Sequence, residues 1–169
     1  MYLSKLGLFN STETDDKLIE ALEAVLQLSE TDMTIFFRNL SKVTKTDSAE
    51  NAIEKIHVSF YLPEEITGNI LDSWKKWFTV YLQRLNEEAL SDKDRSEKMN
   101  QINPKYVLRN YMAQLAIDDA DKGDYALIKE LYLLLQKPYD EQPQSEKWFA
   151  KRPDWARSKV GCSMLSCSS

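Results

Sequence analysis

The residues of this chain that could do chemistry are few, and its two thiols come first. Cys162 and Cys167 both lie in the closing stretch GCSMLSCSS with four residues between them, and the sequence holds no other cysteine. A redox C-x-x-C turn needs two intervening residues, and a tetrahedral zinc site needs four ligands. This pair meets neither requirement. Chemistry alone leaves three readings open: an incidental terminal thiol at Cys167, a local Cys162–Cys167 disulfide, or a terminal thiol that attacks another sulfur or an electrophile. The last follows because exchange depends on access and on the thiolate fraction.

The other reactive side chains are equally sparse. His57 is the one histidine, so neither a histidine-based metal cluster nor a thiol–histidine pair can be assembled, and a structural or solvated imidazole is expected. No G-x-x-x-x-G-K-[ST], G-x-G-x-x-G or G-x-S-x-G occurs, and four glycines are too few for a loop whose amides cradle phosphate. The expectation is a chain with no catalytic residue, no metal site and no cofactor site of its own. Asp15-Asp16, Glu64-Glu65, Glu87-Glu88 and Asp118-Asp119 fall near expected helix ends, where solvated carboxylates are common and, at helix starts, suit the dipole.

Two groups of residues could form an interface. In NPKYVLRN, Arg109 and Asn110 follow apolar Val107-Leu108 and could project from the edge of a buried stripe; the plainer reading is a snorkelling or ion-paired arginine and a loop-bonded asparagine. Trp148 and Trp155 bracket FAKRPD in a segment without helical period, and large aromatics there either invite a partner or pin the segment to the chain's own helices.

Those residues must be positioned by helices. With 169 residues, 43% hydrophobic and 29% charged, the chain has the composition of one globular domain. The net charge of -5 is distributed rather than blocked, so no basic stripe for nucleic acid is present. The longest apolar window, ALIKELYLLL, is too short for a bilayer span, and no signal-peptide profile opens the sequence. A cytoplasmic protein with no membrane and no nucleic-acid partner is expected.

Apolar residues recur at helical spacing in several blocks: Leu18 to Leu26, capped by Asp15 or Asp16; Met33 to Leu40, capped by Thr31 or Asp32; and a short helix within TKTDSAENAIEKI. Pro63 is placed to open a long helix carrying Trp74, Trp77, Phe78, Tyr81, Leu82 and Leu85, the spine of the core. SDKDRSEKMNQI reads as solvated, Pro104 as the start of a helix with Tyr111 and Met112 inward, and Gly123 as a left-handed stop. A last helix runs to Pro138 with Leu127, Ile128, Leu131, Leu134 and Leu135 inward. The fold class is all-α, an irregular bundle of about six helices over 1–138, followed by an arm, 139–169, without period.

The ordered combination NPKYVLRNYMAQLAIDDADKGDY, KPYDEQP, PDWA and terminal CSS resembles the C-terminal region of the selenoprotein O family, also called YdiU, and the early KLGL and DMTIFFRNLS are similar too. The resemblance covers essentially the whole chain. It implies a parent with a kinase-like fold that transfers AMP from ATP, with Mg2+ or Mn2+, onto serine, threonine or tyrosine hydroxyls of proteins. Family members are several hundred residues long, and their nucleotide- and metal-binding residues precede this region, so none maps onto this chain.

One functional position transfers. Cys167, antepenultimate, matches the family's redox-active selenocysteine or cysteine, whereas Cys162 lies outside that terminal pattern and remains only an alternative partner. The resemblance thus implies a non-catalytic C-terminal region that packs on the kinase-like portion, serves the parent's protein substrates indirectly and presents a redox-sensitive thiol. The rival is an independent helical interaction module using the Trp148 to Trp155 segment, and a thiol-disulfide enzyme using both cysteines is disfavoured by their spacing.

Overall fold

A computed structural model of the chain describes residues 2–159. They form two compact units that divide between Asn103 and Pro104, whereas the sequence reading set its boundary after residue 138. The first unit contains α1 (Tyr2–Lys5), α2 (Asp15–Leu26), α3 (Met33–Leu40), α4 (Ala49–Ile56), α5 (Gly68–Asn86) and α6 (Asp92–Ile102). The second contains α7 (Asn110–Ala120), α8 (Ala126–Leu135) and the four-residue α9 (Trp155–Ser158). The class is all-α: the only extended pairing among the described residues is an isolated bridge between Thr31 and Phe60. Nine α-helices are described, seven of them with eight residues or more, so the expected count of about six was low.

Two cap expectations resolve by physics. The Asp32 carboxylate accepts from the Ile35 N–H at 3.0 Å, an N-cap that answers an otherwise orphaned helix donor. Asp15 does not cap α2, because its carboxylate is drawn inward to Arg84 and Thr14 takes the cap position without a side-chain bond.

Both prolines expected to open helices do something else. Pro63 begins a single 3-10 turn, Pro63–Glu65, and α5 starts only at Gly68, whose φ is +49°. Pro104 opens no helix because the N–H groups of Lys105 and Tyr106 both donate to the Pro138 carbonyl, at 2.8 and 3.0 Å, which holds this stretch away from helical pairing. Gly123, with φ of +85°, is the left-handed stop that the sequence indicates.

The first unit's core follows the long stripe. Trp74, Phe78, Tyr81 and Leu85 of α5 are fully buried, with Trp77 nearly so, and α5 packs against α2 and α4. Trp77 stacks on Tyr81 at 5.0 Å, meets Phe78 edge-on at 4.8 Å, and its Nε1–H donates to the Leu18 carbonyl at 3.1 Å. In the second unit, Tyr111, Met112 and Ala116 of α7 pack with Leu131 and Leu134 of α8 and with Trp148.

The helix read as solvated, α6, is pinned by burial. Arg95 and Met99, one turn apart, are both completely buried. Gly7 makes that approach possible: its φ is +74°, and a Cβ there would stand 2.5 Å from Met99 Sδ and 2.8 Å from Arg95 Nη1. Gly7→Ala is therefore expected to cost about 2–4 kcal/mol, from left-handed strain plus overpacking against side chains with no room to retreat. Urea unfolding of the two chains measures it, and an unchanged midpoint would refute the clash.

Candidate functional site

The sequence-predicted site residues are scattered. Cys162 and Cys167 lie outside the described residues. Arg109 occupies the N-cap position of α7 and Asn110 its first turn, both partly buried. Trp148 is nearly buried, ending the 3-10 turn Pro143–Trp148; its Nε1–H donates to Glu130 Oε1 at 2.7 Å while the Lys147 ammonium, 2.8 Å from the same oxygen, lies over its ring. Hydrogen bonds from Lys147 and Trp148 hold the Glu130 carboxyl below its usual range despite partial desolvation. Trp155 stays 42% exposed and meets Tyr111 edge-on at 6.2 Å. His57 is exposed at the start of a 3-10 turn, with Phe60 edge-on at 6.2 Å.

The segment KPYDEQP is held to the second unit by an ionic lock. The buried Lys105 ammonium reaches Glu141 and Glu146, each at 2.6 Å, and lies 5.2 Å from the Phe149 ring centroid. Burial alone would lower the pKa of this lysine, but hydrogen bonds to the two glutamates outweigh it and raise it. This keeps the cation charged and ties the residues after Pro138 to the start of the unit.

The first unit holds an ionic cluster that the sequence reading missed. Arg84 of α5 donates through Nε to Asp15 Oδ1 at 2.8 Å, through Nη1 to Glu88 Oε1 at 3.0 Å, and through Nη2 to the Asn10 carbonyl. All three charged side chains are buried. Nearby, the Tyr81 hydroxyl donates to the Leu6 carbonyl at 2.7 Å, and burial, opposed by the adjacent Arg95, pushes its pKa to about 12. These bonds tie the segment after α1 to α2 and α5. Among the described residues no three His, Cys, Asp or Glu side chains converge as metal ligands.

Two surfaces remain available. On α8, Leu131 and Leu134 are buried while Ile128, Tyr132 and Leu133, with Tyr125 at its N-cap, are exposed, which corrects the inward placement of Ile128. Apolar residues thus lie on both sides of α8, the exposed one also carrying Lys129. Here one side is covered and the other is open. Separately, in the first unit, α2 and α5 border a groove of about 600 Å³ floored by Leu18, Val25 and Trp77. No helix among the described residues is long and apolar enough to cross a membrane.

Comparison with known proteins sets these surfaces in context. A family model described as protein adenylyltransferase SelO matches residues 1–136. A protein nucleotidyltransferase YdiU of Flavobacterium johnsoniae is 76% identical over 169 residues, covering 100% of this chain and 32% of the relative. Those of Rhodopirellula baltica and Aromatoleum aromaticum are 45% and 43% identical, again over 100% of this chain and 33% and 32% of theirs. The chain thus spans about a third of the length of the curated relatives it matches.

Proposed function

The chain belongs to the protein adenylyltransferase SelO family, and from that premise we propose that it is the helical C-terminal region of a longer adenylyltransferase. It is non-catalytic by itself, packs on the kinase-like portion and presents Cys167 as a redox-sensitive thiol. The longer protein transfers AMP from ATP, with Mg2+ or Mn2+, to hydroxyls of protein substrates. The observation that carries the reading is the match of the whole chain to about a third of each relative. The open apolar side of α8 supports it, because Tyr125, Ile128, Tyr132 and Leu133 offer the kind of surface that a larger body would cover.

The division of labour is physical. ATP and its metal need phosphate-binding amides and converging carboxylates, and no three acidic, histidine or cysteine side chains converge among the described residues. The buried clusters around Arg84 and Lys105 instead make rigid units, and a rigid body can hold a distant catalytic portion in one geometry.

The thiol half of the proposal is tested by AMP transfer in the full-length protein, reduced and oxidised. Oxidation is expected to change the rate in the wild type and in Cys162→Ser, but not in Cys167→Ser. Redox sensitivity that survives Cys167→Ser would overturn the role assigned to this thiol.

A further inference from the structure

The groove between α2 and α5 has the form of a helix seat. Its lining residues run from Thr14 to Val25 on α2 and from Ser73 to Arg84 on α5. Twelve residues of helix rise about 18 Å, enough to lie alongside three turns of another helix. The small side chains of Ala21 and Ala24 create the concavity, Leu18, Val25 and Trp77 make its floor, and Val80 stands exposed at its side.

The charge at its rim is one-sided. Asp15 and Arg84 neutralise each other at one end, with Arg84 also bound to Glu88. Lys17 and Lys76, both exposed and both lining the groove, carry no ion pair among the described residues. An apolar trough flanked by two uncommitted cations stands out in a chain of net charge -5. It suits an amphipathic helix with apolar anchors at i, i+3 or i+4 and i+7, flanked by acidic side chains.

We infer that this groove seats an acidic amphipathic helix from the part of the longer protein that lies outside this chain. The inference rests on the proposed function, and the length supports it: relatives at 76% and 45% identity devote about two thirds of their residues to sequence that this chain does not span. The groove is then a second contact, separate from the open side of α8.

Lysine acylation read by mass spectrometry tests both at once, in the isolated chain and in the full-length protein. Lys17 and Lys76 report on the groove, exposed Lys129 on the open side of α8, and Lys122, 73% exposed, serves as reference. Acylation of Lys17 and Lys76 is expected to slow about tenfold or more in the full-length protein, as at a water-excluding interface, together with Lys129. Carbodiimide is expected to cross-link Lys17 or Lys76 to an Asp or Glu outside this chain.

Slowing at Lys129 alone would overturn the groove assignment and leave the proposed function standing. Slowing at none of the three would overturn both. Cross-links only to acids within this chain, or protection that appears in the isolated chain as its concentration rises, would make the occupant a second copy and overturn the inference.

Discussion

Arg84→Met is expected to destabilise the isolated chain by about 3–5 kcal/mol, because it strips from two buried carboxylates the cation that pairs with both. The side chains of Arg84, Asp15 and Glu88 are 6%, 2% and 0% exposed. Glu88 also accepts from the backbone N–H groups of Phe9 and Asn10, at 3.2 and 3.3 Å, so the cluster joins the end of α5, the start of α2 and the loop before it. Replacing all three charged residues with apolar ones of similar size should recover part of the loss, since paired desolvation costs vanish with the charges, while the amides of Phe9, Asn10 and Thr12 lose their acceptors. Denaturant midpoints measure both variants. A loss under about 1 kcal/mol for Arg84→Met would mean that the carboxylates find water or protons at little cost.

The same cluster sets an acid limit. Burial alone would raise the Asp15 pKa, but hydrogen bonds from Arg84 and Thr12 outweigh it and hold the carboxyl below its usual value. The folded pKa lies below the unfolded one, so the contribution is complete above the unfolded value of about 3.9 and is lost as pH falls through the folded value. Asp15→Asn should therefore lower stability at neutral pH and flatten its fall in acid. An identical acid limb in the two chains would contradict the linkage.

Trp74→Ala is expected to be of similar size, about 3–5 kcal/mol, through lost transfer energy and the cavity left behind. The ring is fully buried and meets Phe60 at 5.3 Å, Phe36 at 5.8 Å and Trp77 at 6.1 Å. Its Nε1–H has no hydrogen-bond partner among the described residues. Trp74→Phe should accordingly be much the milder change, keeping an aromatic ring while removing a buried, unanswered donor. At Trp77 the order differs, because Phe there would forfeit the bond to the Leu18 carbonyl. Equal losses for Trp74→Phe and Trp74→Ala would show that the indole's full shape, rather than ring burial, carries the effect.

These two sites differ in how far the sequence revealed them. Trp74, Trp77, Phe78 and Tyr81 recur with the helical period, and a stripe of large apolar residues has one destination. Arg84 falls at the next step of that stripe, after Trp77 and Tyr81, and this was the available signal. Its partner Asp15 is 69 residues away, and the doublets containing Asp15 and Glu88 look like ordinary solvated helix ends.

Arg95 hid in the same manner. It sits one turn from Met99 in a segment of mixed charge, so polarity concealed a buried face that Gly7 lets approach. The open side of α8 was legible only as hydrophobicity, since period alone cannot say which apolar side a neighbour covers. Pro104 misled because local rules favour a helix start, whereas two amides after it are claimed by a carbonyl distant in sequence. The thiols were prominent in the sequence, yet both lie outside the described residues.

The central claim is that this region serves a catalytic portion it does not contain. Transfer of labelled AMP from ATP with Mg2+ or Mn2+, measured for the full-length protein and for this chain side by side, tests it most directly. Transfer by the full-length protein and none by the chain is the predicted result; ATP-dependent labelling by the chain alone would contradict it and place a nucleotide site within these helices.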